Sequence, residues 1–159
     1  MFVHKGFASI VTSQAYEDLR LEFVKLSNLY PTYDLVMTGH SLGGALATLS
    51  AFLLVTCESP VKRMIHVVTF GSPRVGNVAW QQSFNNHTCL KHTRVTHHND
   101  IVTTMPYFNY HHTGDEFHYN GHTWEQQGRE DPLYMCPFYR YSFEDHRCLS
   151  YCDALFDTT

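Results

Sequence analysis

The chain has 159 residues, with 11 Lys and Arg against 15 Asp and Glu and a formal net charge of −4. That length is one domain's worth of chain, and the missing basic excess excludes nucleic acid as the default partner. Hydrophobic residues make up 43% and aromatics 14%, enough to close a core, while only 16% are charged, which excludes disorder.

Met1-Phe2-Val3-His4-Lys5-Gly6 has no charged stretch leading into an apolar one, so no secretory signal is visible. Ser13 to Tyr30 reads as an amphipathic helix: Ser13 caps it, Tyr16, Leu19, Phe23, Leu26 and Tyr30 recur on one face, and Pro31 stops it. Tyr33 to Thr38 suits a strand ending at Gly39. Leu42 to Cys57 is an Ala/Leu-rich helix, and its core Ala45 to Val55 is too short to span a bilayer. Met64 to Phe70 is a β-branched strand ending at Gly71, Asn77 to Phe84 a helix capped by Asn77, and Thr93 to His97 a short strand before the polar turn His98-Asn99-Asp100. Strand and helix alternating in this way is the pattern of a parallel sheet with helices on its faces. From Pro106 onward the pattern weakens to aromatic-rich loops with one short strand, Glu116 to Tyr119. No internal repeat, low-complexity tract or linker argues for a second domain.

Gly39-His40-Ser41-Leu42-Gly43 is a G-x-S-x-G set between a predicted strand and a predicted helix. A serine on so sharp a turn is held in a strained backbone with its hydroxyl projecting from the sheet edge. The flanking glycines let strand and helix pass closely. The helix start aims its dipole and the Leu42 N–H at developing negative charge, which makes that amide a candidate oxyanion donor. The bland alternative is a Gly-rich turn with a capping serine. A phosphate loop is excluded because Gly44 is followed by Ala45 rather than Lys, and no G-x-G-x-x-G is present.

A serine nucleophile needs a histidine to take its proton and a carboxylate to orient that histidine. Asp100 follows the strand Thr93 to His97, where such an acid belongs; the competing reading is an Asx-turn residue. Asp115, Asp131 and Asp145 are rivals, and none directly follows a strand of this sheet. Five histidines come later, His111, His112, His118, His122 and His146, and position alone does not choose among them. His146 lies in a polar loop, Glu144-Asp145-His146-Arg147, from which a base could reach across the sheet edge.

The remaining histidines lack the HExxH spacing, and adjacent ones in a strand point to opposite faces, so no metal site is expected. Tyr107, Phe108 and Tyr110 either line a substrate pocket or pack against the sheet edge. Tyr134, Phe138, Tyr139, Tyr141 and Phe143 read as tail packing. Of the five cysteines, Cys57, Cys89, Cys136, Cys148 and Cys152, the last three cluster near the C-terminus. They are either a disulfide tying down the tail or reduced thiols, and their spacing is not that of a zinc site.

Together these segments resemble the fungal-type class 3 lipase family of α/β-hydrolases. The resemblance rests on Thr38-Gly39-His40-Ser41-Leu42-Gly43-Gly44-Ala45-Leu46-Ala47, on Thr69-Phe70-Gly71-Ser72-Pro73-Arg74-Val75-Gly76-Asn77, and on Arg94-Val95-Thr96-His97-His98-Asn99-Asp100-Ile101-Val102. His112-Thr113-Gly114-Asp115-Glu116, Asp145-His146-Arg147-Cys148-Leu149-Ser150-Tyr151 and Val3-His4-Lys5-Gly6-Phe7 extend it over essentially the whole chain.

The resemblance implies one N-terminally shortened α/β-hydrolase domain over residues 1–159, with a mostly parallel sheet and helices on both faces, lacking the family's upstream strands, first oxyanion loop and lid. It implies Ser41 as nucleophile, Asp100 as orienter and His146 as base in a carboxylic ester hydrolase, a triacylglycerol lipase or esterase that works through an acyl-enzyme on lipid or small ester substrates, with no cofactor. It is compatible with transient contact with a lipid interface; the compartment stays open, the resemblance and the C-terminal cysteines pointing to a secreted or lumenal one and the N-terminus showing no signal.

Three departures stand out. An Arg-Cys pair is inserted after the histidine, and Thr103-Thr104-Met105-Pro106 stands where the family usually has prolines. The family's first oxyanion donor and its lid lie upstream of the Val-His-Lys-Gly-Phe stretch, which here is the N-terminus. With the Leu42 N–H alone, transition-state stabilisation falls by about 3–4 kcal/mol. Two expectations follow: the chain is a fragment of a longer protein that supplies the missing donor, or it is an impaired or non-catalytic lipase-like domain that binds lipid or a partner.

Overall fold

The computed structural model describes residues 1–56, 62–127 and 141–156. Helices α1 (Lys5–Val11) and α2 (Gln14–Leu29) lead into β1 (Leu35–His40), α3 (Leu42–Thr56), β2 (Ile65–Phe70), α4 (Val78–Asn85) and β3 (Leu90–His97). A single 3₁₀ turn, Val102–Thr104, follows, then β4 (Asp115–Tyr119), β5 (Trp124–Gln127) and α5 (Cys148–Phe156).

Two helices start where a polar side chain satisfies an orphan backbone amide. The Ser13 hydroxyl accepts from Tyr16 N–H at 3.3 Å, and Asn77 Oδ1 accepts from Trp80 N–H at 3.2 Å. α1 has no side-chain cap at His4, and neither it nor α5 and β5 was expected from the sequence pattern. β1 also runs two residues further than expected, through Gly39 to His40, and β3 begins three residues earlier, at Leu90.

The five strands among the described residues form one sheet in the order β1-β2-β3-β4-β5, parallel throughout except for the antiparallel pair β4–β5. Register puts Leu35, Met37, Ile65, Val67 and Thr69 on the same face as His92, Arg94 and Thr96. The β1–β2 part of that face is apolar and is covered by α3, whose Ala45, Leu49 and Phe52 join Trp80 and Phe84 of α4 in the core. Toward β4 the same face turns polar yet stays buried: His92, Arg94 and Thr96 are all nearly inaccessible, and Arg94 pairs with Glu116 at 3.1 Å. α5 approaches the opposite face, where Tyr151 lies against Phe70 and His97 at the C-terminal ends of β2 and β3.

α2 departs from its expected role. Tyr16 and Phe23 pack on the core, but Leu19 is 69% exposed, and Leu26 and Tyr30 are exposed too. The helix stands beside β1, with an open groove of about 590 Å³ between them and the start of α3, lined by Tyr16, Leu19, Phe23, Val36, Gly43 and Leu46.

Candidate active site

Ser41 occupies the sharp turn between β1 and α3 with φ +56°, a left-handed conformation that costs a non-glycine residue about 1–2 kcal/mol. Its N–H donates to Phe70 C=O at 2.9 Å, and its own C=O accepts from Gly44 N–H at 2.9 Å, so neighbouring β2 and α3 hold the strain in place. A Cβ on Gly39 would sit 2.3 Å from the Gly43 backbone, and one on Gly44 would sit 2.8 Å from Ser72 Cβ. A Cβ on Gly43 would meet nothing within 4 Å. The close passage of strand and helix therefore depends on Gly39 and Gly44, which corrects the expectation that both glycines of the G-x-S-x-G are sterically required. Leu42 opens α3, so its N–H has no carbonyl one turn earlier to bond within the helix.

Asp100 and His146 meet Ser41 on the same sheet edge. His146 Nδ1 lies 2.9 Å from Asp100 Oδ2 and His146 Nε2 lies 2.8 Å from Ser41 Oγ. A carboxylate only accepts, so Nδ1 carries the proton and the Nε2 lone pair faces the serine hydroxyl, the arrangement of a general base. Asp100 is 2% exposed, and its partners explain how a buried carboxylate is tolerated. Oδ1 accepts from Val102 N–H at 2.8 Å, while Oδ2 also accepts from the Tyr151 hydroxyl at 2.6 Å. The Asx-turn and the orienting arrangement thus coexist, one on each oxygen.

The rivals have other employment. Asp145 Oδ2 accepts from Asn99 N–H at 3.2 Å, Asp115 opens β4, and Asp131 lies outside the described residues. His112 is buried with Nε2 2.6 Å from Thr103 C=O, and His118 Nδ1 lies 2.9 Å from Thr96 Oγ1. The His111 N–H donates to Gly76 C=O, and His122 is exposed in the β4–β5 turn. Burial, reinforced by Arg94 and Arg74, holds His112 well below the usual imidazole pKa.

Three residues of the site were not legible as such. Tyr151 reaches back from α5, accepting from His97 N–H at 3.2 Å while donating to Asp100. Burial and the adjacent carboxylate push its pKa far up, so it is held as a neutral donor. His40 stacks on the His146 ring with centroids 4.6 Å apart. Gly71, at φ +57°, lies so close under the pair that a Cβ there would sit 2.7 Å from Asp100 Oδ2 and 3.1 Å from His146 Nδ1. In the sequence pattern Gly71 reads only as the end of a strand, and nothing marks His40 or Tyr151.

The loop after Asp100 is clamped from below. Arg74 N–H donates to Met105 C=O at 2.7 Å, and its guanidinium bonds the Thr104 carbonyl. Tyr107 is half-buried with its hydroxyl 3.5 Å from Thr104 Oγ1, and Phe108 is 89% exposed. Cys89, Cys148 and Cys152 are free thiols, whereas Cys57 and Cys136, with Tyr134, Phe138 and Tyr139, lie outside the described residues. Among the described residues no three His, Cys, Asp or Glu side chains converge as a metal site, and no helix is long and apolar enough to cross a membrane.

The family model for lipase (class 3) matches residues 1–110, a span that contains Ser41 and Asp100 and stops before His146. The chain is 35% identical over 137 residues to triacylglycerol lipase OBL1 of Arabidopsis thaliana, covering 80% of this chain and 26% of that protein. It is 35% identical over 121 residues to secreted mono- and diacylglycerol lipase 1 of Fusarium solani, covering 75% of this chain and 34% of the relative. The crystal structure of a lipase from Rhizopus microsporus var. chinensis superposes with a TM-score of 0.77 at 30% identity, over 91% of this chain and 52% of that one. The chain thus spans about a quarter to a third of these curated relatives and about half of the solved structure. With its elbow, its mostly parallel sheet and this match, the chain belongs to the class 3 lipase family and has the α/β-hydrolase fold.

Proposed function

We propose that this chain hydrolyses carboxylic esters through an acyl-enzyme on Ser41. The observation that carries the reading is the continuous hydrogen-bonded line Ser41 Oγ–His146–Asp100. His146 Nε2 takes the Ser41 proton as Oγ attacks the ester carbonyl, and Asp100 stabilises the imidazolium that forms. The oxyanion draws on the Leu42 N–H at the start of α3. Collapse of the tetrahedral intermediate releases the alcohol, protonated by His146. Water, deprotonated by the same nitrogen, then attacks the acyl-Ser41 ester and frees the acid and the serine.

Acylglycerols are the substrate class that the names of the relatives support. Tyr107 and the exposed Phe108, on the loop just after the triad aspartate, offer apolar contact to an acyl chain or to a lipid surface.

A fluorophosphonate probe tests the reading. Wild type is expected to label at one site, Ser41→Ala to lose the label, and His146→Ala to label at least 10³-fold more slowly. Labelling that persists in Ser41→Ala overturns it. Labelling without turnover of p-nitrophenyl butyrate would instead identify a lipase-like domain that is weak in oxyanion stabilisation.

A further inference from the structure

The segment that carries His146 is fastened to its surroundings unevenly. Ser142 N–H donates to Asn99 C=O at 2.9 Å, Ile101 N–H to Ser142 C=O at 3.4 Å, and Asn99 N–H to Asp145 Oδ2 at 3.2 Å. His97 Nδ1 lies 3.2 Å from Asp145 C=O. All four ties run to residues 97–101, the turn that holds Asp100. They set the base against its orienter and do nothing to set it against the nucleophile.

His40 supplies that second tie. Its Nε2 lies 2.8 Å from the His146 backbone carbonyl. A carbonyl only accepts, so Nε2 carries the proton and the tautomer of His40 is fixed. Its ring lies against the His146 ring at 4.6 Å with an interplanar angle of 29°, and meets Tyr151 edge-on at 5.7 Å. His40 is one peptide bond from Ser41 at the rigid end of β1. Through it the backbone of the base is referenced to the backbone of the nucleophile, and the imidazole plane is limited on one side.

We propose that His40 is a positioning residue, which sets the distance between His146 Nε2 and Ser41 Oγ through its hydrogen bond to the His146 carbonyl. This rests on the acyl-enzyme reading and adds to it the residue within G-x-S-x-G that the elbow geometry itself does not require. The bond forms in the resting enzyme and is not itself broken in either chemical step. Its loss therefore lowers the rate of the proton-transfer step and leaves substrate affinity alone, since misplacement of a base by about 1 Å costs about 100-fold.

Two substitutions separate the donor from the ring. His40→Phe keeps an aromatic ring against His146 and removes the donor. His40→Gln removes the ring and keeps an N–H at the reach of Nε2. The second-order rate of Ser41 labelling by fluorophosphonate is expected to fall about 10- to 100-fold in H40F and to stay within about threefold of wild type in H40Q. With p-nitrophenyl butyrate the loss in H40F is expected in kcat, with KM unchanged. In ¹⁵N-histidine spectra the His146 Nδ1–H resonance is expected to be sharp in wild type and H40Q and broadened by exchange in H40F.

H40F labelling at the wild-type rate overturns the proposal, as does a folded H40Q as slow as H40F. If the phenyl ring prevents folding, His40→Leu removes the donor in a smaller side chain. Failure of the wild type to label at Ser41 would speak against the acyl-enzyme reading instead, and the Nδ1–H linewidths still decide the role of His40 in that case.

Discussion

The Tyr151 hydroxyl donates to the same carboxylate oxygen of Asp100 that His146 Nδ1 uses, at 2.6 and 2.9 Å. Two donors on one oxygen compensate the burial of the carboxylate and leave little rotational freedom about its Cβ–Cγ bond. Tyr151→Phe keeps the ring against Phe70 and His97 and removes one donor to a buried charge. Expected are a stability loss of about 1.5–3 kcal/mol in urea denaturation and a roughly tenfold slower labelling of Ser41. Labelling at the wild-type rate would show that His146 and Val102 hold the carboxylate unaided.

Gly71 lies directly under Asp100 and His146 in a left-handed turn. Gly71→Ala combines a backbone cost of about 1–2 kcal/mol with a methyl driven into Asp100 and His146. The expected outcome is a folded protein, several degrees less heat-stable, whose labelling rate falls at least 100-fold. Normal kinetics with lowered stability would mean that the loop shifts as a body and leaves the Ser41–His146–Asp100 line intact.

The three glycines around Ser41 separate on steric grounds. Gly43→Ala meets open space and removes glycine's entropic penalty in a helix, so it is expected to leave thermal stability unchanged or raise it by about 0.5–1 kcal/mol. Gly39→Ala and Gly44→Ala, whose methyl groups would meet the Gly43 backbone and Ser72, are expected to lower it by several kcal/mol. Melting curves of the three variants check the order, and a Gly43→Ala variant as unstable as Gly39→Ala would contradict it.

Acid sensitivity follows from the polar half of the sheet face. His92 sits between the Thr69 and Thr113 hydroxyls at 3.0 and 2.7 Å, and burial, aided by the Arg94 charge, lowers its pKa to about 3 from the usual 6.5. Between those values the unfolded chain binds a proton that the folded one refuses, so stability is full above the unfolded pKa and falls as pH drops. The slope approaches about 1.4 kcal/mol per pH unit for each such histidine. Melting temperature is expected to fall between pH 7 and pH 4.5, and to fall less in His92→Gln. Part of the slope stays with His112, whose pKa is lowered in the same direction. Identical slopes in wild type and variant would remove His92 from the account.

How much of this was legible depends on whether the signal was local. Ser13 and Asn77 announce α2 and α4 because capping is chemistry within three residues. α1, with no side-chain cap at His4, and the short α5, with no acidic residue in its first turn, carry no such mark. Ser41 could be read because a glycine-flanked serine between strand and helix has few other uses, and Asp100 because it follows a strand. His146 stood among five histidines on position alone and was singled out by resemblance. Tyr151 and His40 act on partners 51 and 106 residues away, and no pattern within one element encodes a contact that only the closed sheet creates. The misread face of α2 has the same cause: period alone places Leu19 with Tyr16 and Phe23, and only the open side of β1 leaves it uncovered.

That open side has a consequence for the purified protein. Among the described strands β1 has a neighbour only in β2, and the other row of backbone donors and acceptors along Leu-Val-Met-Thr-Gly-His faces outward. The six residues contain no proline, lysine or acidic side chain to discourage a newcomer. Val36, 57% exposed, and the groove beside it add an apolar landing strip. Such an edge is a template for intermolecular pairing, so the chain handled alone will self-associate as its concentration rises. Mild detergent will compete for the same strip, and light scattering with and without it will read the effect before any assay of chemistry begins.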